Sequence, residues 1–338
     1  MKFLFTADIH LSRYSQDKVE SESKLPERLH SLKQALYSMG DYCYDNDINL
    51  FIIGGDIMHT KSLIYSIAQD VMIDFFEQYE DLQFLVLDGN HDLSGKGKGA
   101  ISSLRSIDNI TGVDWITKYP YIVDNSFTCI PYSYNIVDQV KKSEGKILIS
   151  HFGLSEAMLN SGISIISDIS LNDLIGKYKL VLLGHYHRPQ EIIRDDISLY
   201  YVGSPIQLDW GEKGDEKRFL VVDTDTLDVK SVPTTGYKKH VELEISSSNK
   251  SEILKLAEKE KDAGNFVKLV KTESVDIESD QFMVVDKSEI DITNRGITSS
   301  MSEDDKLKRF MEIKEIPSDK TERYLNAGLE IINSCEGE

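Results

Sequence analysis

Five apolar runs in this sequence each end on residues that bind metals or move protons. Phe3-Leu4-Phe5 leads to Asp8 and His10, and Leu50 to Ile53 leads through Gly54-Gly55 to Asp56. Phe84 to Leu87 leads through Gly89 to Asn90, His91 and Asp92. Ile147-Leu148-Ile149 leads to His151, and Leu180 to Leu183 leads through Gly184 to His185 and His187. Runs of this kind read as strands covered on both faces. In open α/β sheets, ligands bind at the carboxyl ends of such strands. Five endings on the same edge of one sheet would gather about seven nitrogen and oxygen donors in one crevice, enough for two metal ions.

Asp and His donors suit Mn²⁺, Fe²⁺ or Zn²⁺ and suit Ca²⁺ poorly. A carboxylate can join two ions through its two oxygens, and Asn offers an oxygen without adding charge. Two ions about 3.5–4 Å apart polarise a phosphoryl oxygen and turn a shared water into hydroxide near neutral pH. That is chemistry for in-line hydrolysis of a phosphate ester. The leaving oxygen then needs stabilisation or a proton, and His91, beside Asn90 on the same loop, is the natural candidate.

The elements that must carry these residues follow in order. A helix opening at Pro26 sets Leu29, Leu32, Leu36, Met39 and Cys43 on one face against the sheet. A second, from near Ser62, carries Ile64, Ile67, Val71, Phe75 and Tyr79 on one stripe. Leu11 to Leu25 is a polar loop. Gly95 to Gly99, with Lys96 and Lys98, lacks P-loop spacing and reads as a surface loop or as a basic finger against a phosphate backbone. Short helices are expected at 100–107 and 171–177, and short strands of a second sheet at 113–134. Strands at 199–202 and 219–222 continue the sheet. Near Pro233 the character changes to a small α+β unit: a strand at 240–245, a charged helix at 251–263 and a strand at 266–270. A polar stretch at 291–305 reads as a linker before amphipathic helices at 306–313 and 321–332.

Composition sets the bounds. The chain has 338 residues, 40% hydrophobic and 28% charged, an ordinary globular balance. No apolar run approaches the ~18 residues of a membrane span. Nothing directs the chain out of the cytosol, so a cytoplasmic location is expected. Cys43, Cys129 and Cys335 are too few and too scattered for a disulfide framework, and the first two read as core residues. The net charge of −19 argues against generic nucleic-acid affinity. A metal centre supplies its own positive field, so a nucleic-acid substrate stays open, with a partner expected to provide part of the grip.

Asp8-x-His10, Gly54-Gly55-Asp56, Gly89-Asn90-His91-Asp92, His151 and Gly184-His185-x-His187 together resemble the calcineurin-like metallophosphoesterases, in order across residues 8 to 187. The resemblance implies one metal held by Asp8, His10, Asp56 and His187. It implies a second held by Asp56, Asn90, His151 and His185, with Asp56 as the bridge. His59, three residues after that Asp, resembles a histidine of the SbcD-type nucleases of the Mre/Rad repair complexes. Gly203-Ser204-Pro205, followed by Glu212 and Lys217, is similar to a stretch that follows the last histidine motif in those nucleases. The chain's short length and compact C-terminal part look most like phage versions, which would place it in a host cytoplasm.

The expected fold is a two-sheet α/β/α metallophosphoesterase sandwich at 1–232, an α+β DNA-capping domain at 233–292, and a linker and helix pair at 293–338. The implied function is a manganese-preferring (or iron- or zinc-dependent) DNA nuclease, a 3′-to-5′ exonuclease on duplex ends and an endonuclease on single strands and hairpins. The implied partners are DNA, an SbcC-like coiled-coil ATPase bound by the terminal helices, and a second copy of the chain, with residues 63–79 as one surface. The runners-up are a phosphodiesterase or phosphatase on another substrate and a non-catalytic scaffold of the same fold. His91 and His59 are the expected catalytic residues, and Arg188, Lys96 and Lys98 the substrate contacts. Arg188 reads equally as half of a surface ion pair, and Asp92 equally as a cap for a following helix or a partner of His91.

Overall fold

A computed structural model of the chain describes every residue except 96, 118–120, 124–125, 163, 165, 195, 278–280, 288–300, 315 and 336–338. Strands and helices alternate at first: β1 (Lys2–Thr6), α1 (Glu27–Asp45), β2 (Leu50–Ile53), α2 (Ser66–Gln78) and β3 (Gln83–Leu87). A two-residue pair, β4 (Leu93–Ser94) and β5 (Ile101–Ser102), follows. Then come β6 (Val113–Ile116), β7 (Tyr121–Val123), β8 (Phe127–Ile130), α3 (Ile136–Lys142), β9 (Ile147–His151) and β10 (Leu180–Gly184). β11 (Gln190–Arg194), β12 (Ile197–Tyr201), β13 (Arg218–Asp223) and β14 (Val229–Pro233) continue the chain. The remaining elements are β15 (His240–Ile245), α4 (Lys250–Asp262), β16 (Phe266–Lys271), β17 (Met283–Asp286), α5 (Glu303–Ile313) and α6 (Ser318–Cys335).

The five site-bearing strands fall in two sheets, which corrects the expectation of a single one. β14-β13-β1-β2-β3-β6 form the first sheet and β11-β12-β10-β9-β8-β7 the second. β1, β2, β3 and β6 are parallel, as are β8, β9, β10 and β12. Period-2 alternation explains why both faces of each strand are apolar. Phe3, Phe5, Ile52 and Leu85 point between the sheets and meet Cys129, Ile149, Leu180 and Leu182 there. Their neighbours Leu4, Phe51, Ile53 and Phe84 face the other way, onto Leu29, Leu36 and Met39 of α1 and Val71, Phe75 and Phe76 of α2. On the far side of the second sheet, Leu148, Val181 and Leu183 pack with Ile136 and Val140 of α3. The layers are therefore helix, sheet, sheet, helix, the mixed α/β sandwich expected. Cys43 and Cys129 are buried free thiols within it.

Local differences have local causes. α2 starts at Ser66 because Tyr65 is extended and Thr60 bonds the Leu63 carbonyl in the turn before it. Its apolar stripe, Ala68, Val71, Met72, Phe75 and Phe76, packs into the core, while Leu63, ahead of the helix, is exposed. Residues 100–107 are β5 and a 3₁₀ turn, Ser103–Ile107, closed by the Ser102 hydroxyl accepting from the Leu104 N–H. Residues 171–177 hold only a 3₁₀ turn, Leu171–Asp173, under a Ser170/Asp173 capping box. β6, expected in the second sheet, pairs in parallel with β3 in the first.

Two compact units emerge, Met1–Val241 with Glu260–Phe266, and Glu242–Lys259 with Val267–Glu338. Every residue expected to carry chemistry lies in the first. Most of the expected cap and the described part of the tail lie in the second. Within it β16 pairs in parallel with β17, and Gly328 of α6 lies close against the Leu307 side chain of α5. Most of the expected linker, 291–300, lies outside the described residues. Among the described residues no helix is long and apolar enough to cross a membrane.

Candidate metal centre

The chain reaches the site through unusual backbone. Asp8, His10, Asp56 and His185 have φ of 55°, 55°, 54° and 98°, a left-handed region that costs a side-chain-bearing residue roughly 1–3 kcal/mol when held there. The strand pairing holds them by running on past the strand ends. Asp8 N–H donates to the Gly55 carbonyl at 3.0 Å and His10 N–H to the Asp56 carbonyl at 2.9 Å. The His185 N–H donates to the Asp8 carboxylate at 2.9 Å. Gly89 is required by proximity, because a Cβ there would lie 2.2 Å from Asp56 Oδ1.

Seven expected ligands come together at the carboxyl edge shared by the two sheets. His10 Nε2 lies 3.0 Å from His187 Nε2 and 3.6 Å from Asp56 Oδ2. The same Asp56 oxygen lies 3.4 Å from His151 Nε2. Asn90 Oδ1 is 3.2 Å from His151 Nε2 and 2.8 Å from His185 Nδ1. Asp8 groups with His10 and His187 on one side and with Asp56 and His151 on the other. Asp8, His10, Asp56 and His151 are buried.

These atoms fit cations better than they fit one another. His151 Nδ1–H donates to the Gly54 carbonyl at 2.8 Å, so a neutral ring turns the lone pair of Nε2 toward the oxygens of Asp56 and Asn90. His187 Nδ1–H donates to Glu212 Oε1 at 2.8 Å, so its Nε2 lone pair meets His10 Nε2. Lone pairs facing each other in a buried site repel unless a proton or a metal stands between them. Ligand atoms each ~2.1 Å from one ion lie about 3–3.5 Å apart, the spacing seen here. Charge tells the same story. Burial works against a charge on His151, yet Asp56 and Asp8 outweigh it and lift its pKa to about 9. Burial and the neighbouring His151 drop His185 to about 3, and burial takes His10 well below its usual value. The carboxylates of this centre favour a positive charge between them.

Behind His187 stands a buried network whose role the sequence did not reveal. Glu212 Oε2 accepts from Lys217 Nζ at 2.7 Å, Ser204 Oγ at 2.8 Å and the Leu208 N–H at 3.1 Å, while Lys217 Nζ also donates to the His187 carbonyl at 2.9 Å. Burial would raise the Glu212 carboxyl, but its bonds to His187 and Lys217 prevail and hold it down to about 2. Such a carboxylate fixes the tautomer and direction of the imidazole.

His91 sits beside the cluster. Its N–H donates to Asp56 Oδ1 at 2.7 Å, its ring lies edge-on to His10 at 4.8 Å, and its Nδ1–H donates to the His59 carbonyl at 2.7 Å. That leaves Nε2 to carry a transferable proton. The His59 ring stacks 6.0 Å from His91 and lies edge-on to His10 at 5.4 Å. Asp92 takes neither expected role. No helix follows it, and its buried carboxylate accepts from the N–H groups of Ile57, Met58 and Gly89, lacing two ligand loops together. Arg188 is half-buried and lines a cavity with Asp215, Glu216 and Lys217. Lys96 lies outside the described residues, and of Lys98 only the backbone, in a 3₁₀ turn, is described.

Residues 1–189 match the calcineurin-like phosphoesterase family. Over 238 residues the chain is 25% identical to the putative phosphoesterase 244L of Invertebrate iridescent virus 6, covering 66% of this chain and 77% of that protein. Over 251 residues it is 24% identical to exonuclease subunit 1 of Enterobacteria phage T4, covering 71% of this chain and 70% of that protein. Among solved structures it is similar to a dimetal phosphatase from Danio rerio, with a TM-score of 0.45 and 10% identity over 70% of this chain and 98% of that one.

Proposed function

Since this chain belongs to the calcineurin-like phosphoesterase family, we propose that it is a dinuclear, manganese-preferring DNA nuclease, the catalytic subunit of an SbcCD-like complex. The family uses divalent metals, and the Asp and His groups here are able to hold them. The observation that carries the dinuclear reading is the single oxygen, Asp56 Oδ2, that faces both His10 and His151. Asp8, His10, Asp56 and His187 would hold one ion, and Asp56, Asn90, His151 and His185 the other. Bound there, the ions would polarise the phosphoryl group and lower the pKa of a water. The DNA reading is supported by the similarity to a phage exonuclease subunit.

The chain's own residues supply the rest. Glu212 orients His187 through Nδ1. The loop from Gly89 to Asp92 carries both Asn90 and His91, so the proton donor is fixed relative to the ligand set. Protonated His91 gives the Nε2 proton to the leaving oxygen, while the His59 carbonyl accepts from Nδ1–H and stabilises the imidazolium. Phe310, Ile313 and Tyr324 are exposed apolar residues on α5 and α6, which supports a partner-binding role for that helix pair.

The test is cleavage of end-labelled duplex and hairpin DNA with Mn²⁺ by wild type and His91→Ala. We expect a loss of about 10²–10⁴-fold in the variant with both metals retained. If wild type hydrolyses bis-p-nitrophenyl phosphate yet leaves DNA intact even beside its ATPase partner, the substrate is not DNA.

A further inference from the structure

One strand out from the metal centre, in both sheets, lies a cavity of about 300 Å³. In the first sheet the ligands end β1, β2 and β3, and the next strand is β6, which supplies Trp115. In the second they end β10 and β9, and the next strand is β8, whose exit supplies Tyr132, Ser133 and Tyr134. Asp88 and Ser102 complete the cavity from the ligand loop and β5. Neighbouring strands are about 4.8 Å apart, so the cavity opens one strand spacing from the strands that carry the expected ligands. The Tyr132 ring lies edge-on to the ligand His151 at 6.4 Å, and the Tyr132 N–H donates to the Asp88 carbonyl at 2.8 Å, tying the two walls together.

The lining speaks for a flat aromatic ligand that donates hydrogen bonds. Three aromatic side chains line it, and Tyr134 is 57% exposed. Asp88 is 6% exposed, and its Oδ1 accepts from Ser102 Oγ at 2.5 Å. A buried carboxylate repels a phosphate and welcomes the imino or amino edge of a base. Aromatic faces stack on any base. An acid-lined aromatic cavity beside a phosphate-hydrolysing centre is placed to take the nucleoside attached to the phosphate being attacked.

We propose that this cavity is a nucleobase subsite that holds the base of the nucleotide released by cleavage. The inference rests on the DNA reading and narrows it, because it gives the enzyme a grip on the nucleotide that retains the phosphate. The reaction itself is hydrolysis. Water's oxygen bonds to phosphorus, the bond to the leaving oxygen breaks, and that oxygen takes a proton.

The probe is the p-nitrophenyl ester of thymidine 5′-monophosphate, compared with bis-p-nitrophenyl phosphate; both release p-nitrophenol, and only the first carries a base. We expect wild type with Mn²⁺ to favour the thymidine ester about tenfold in kcat/KM, chiefly through KM. Tyr134→Ala should erase that ratio and Tyr134→Phe should keep it. Position 134 is exposed, so the substitution does not threaten the fold. A wild-type ratio near one, or a ratio untouched by Tyr134→Ala, overturns the subsite. DNA cleavage is scored separately: DNA cut without the thymidine preference sinks the subsite alone. A Tyr134-dependent preference with DNA uncut even beside the ATPase partner sustains the subsite and sinks the DNA reading.

Discussion

Glu212→Gln is the most informative single change behind the metal centre. The amide still reaches His187 Nδ1 but gives up the charge that both His187 and the fully buried Lys217 answer. Affinity for Mn²⁺ should fall about 10–100-fold, read by isothermal titration of the metal-free protein. Stability should fall by about 3 kcal/mol, because Lys217 loses its closest partner, read by chemical denaturation; unchanged values in both would show the network to be incidental. Asp88 offers a test by pH. Burial pushes its carboxyl up to about 6, above the unfolded value, so its contribution is complete at low pH and is lost as pH rises through 6. At about 1.4 kcal/mol per pH unit the loss is about 3 kcal/mol by pH 8. Asp88→Asn should therefore raise the melting temperature at pH 8 and leave it nearly unchanged at pH 4. At this scale the sequence grouped the seven expected ligands because all of them lie at or just after the carboxyl ends of five strands. It hid what Glu212 does, since only folding brings residue 212 to residue 187. It misjudged Asp92, whose bonds are to backbone that no pattern announces.

At the scale of elements, the turns matter more than the strands. Gly89→Ala would drive a methyl group to within 2.2 Å of Asp56 Oδ1. The loop must shift, taking Asn90 and His91 with it. We expect loss of one metal equivalent by elemental analysis and a drop in DNA cleavage of at least about 10²-fold, since small misplacements at a reacting centre cost that much. A variant that keeps both metals and full rate would show that the loop has slack. The strands and α1 were legible because strand alternation and helical spacing are periodic signals. α2 came four residues late, and two expected helices were only 3₁₀ turns, opened by the Ser102 and Ser170 caps, which mark where a helical turn starts and not how far it runs. Which of the two sheets a strand joins could not be told, because a parallel strand buried on both faces looks the same in either.

For the whole molecule, removing residues 300–338 separates chemistry from assembly. The shortened chain should hydrolyse bis-p-nitrophenyl phosphate at the wild-type rate and fail to comigrate with the coiled-coil ATPase on a sizing column; comigration would assign the partner surface elsewhere. The sandwich could be read from the sequence because its ligand motifs are spaced by whole strand–helix units. The chain's last third was read only by layout, because its polar stretches carry no comparable rhythm. A consequence follows from where Asp56 and His151 sit. They belong to different sheets, so an ion held by both would fasten the rims of the sandwich together. That mechanical service does not depend on turnover. A descendant that had abandoned hydrolysis would still be selected to keep its ions, and a full set of ligands would then testify to architecture, leaving His91 as the residue whose loss betrays retirement.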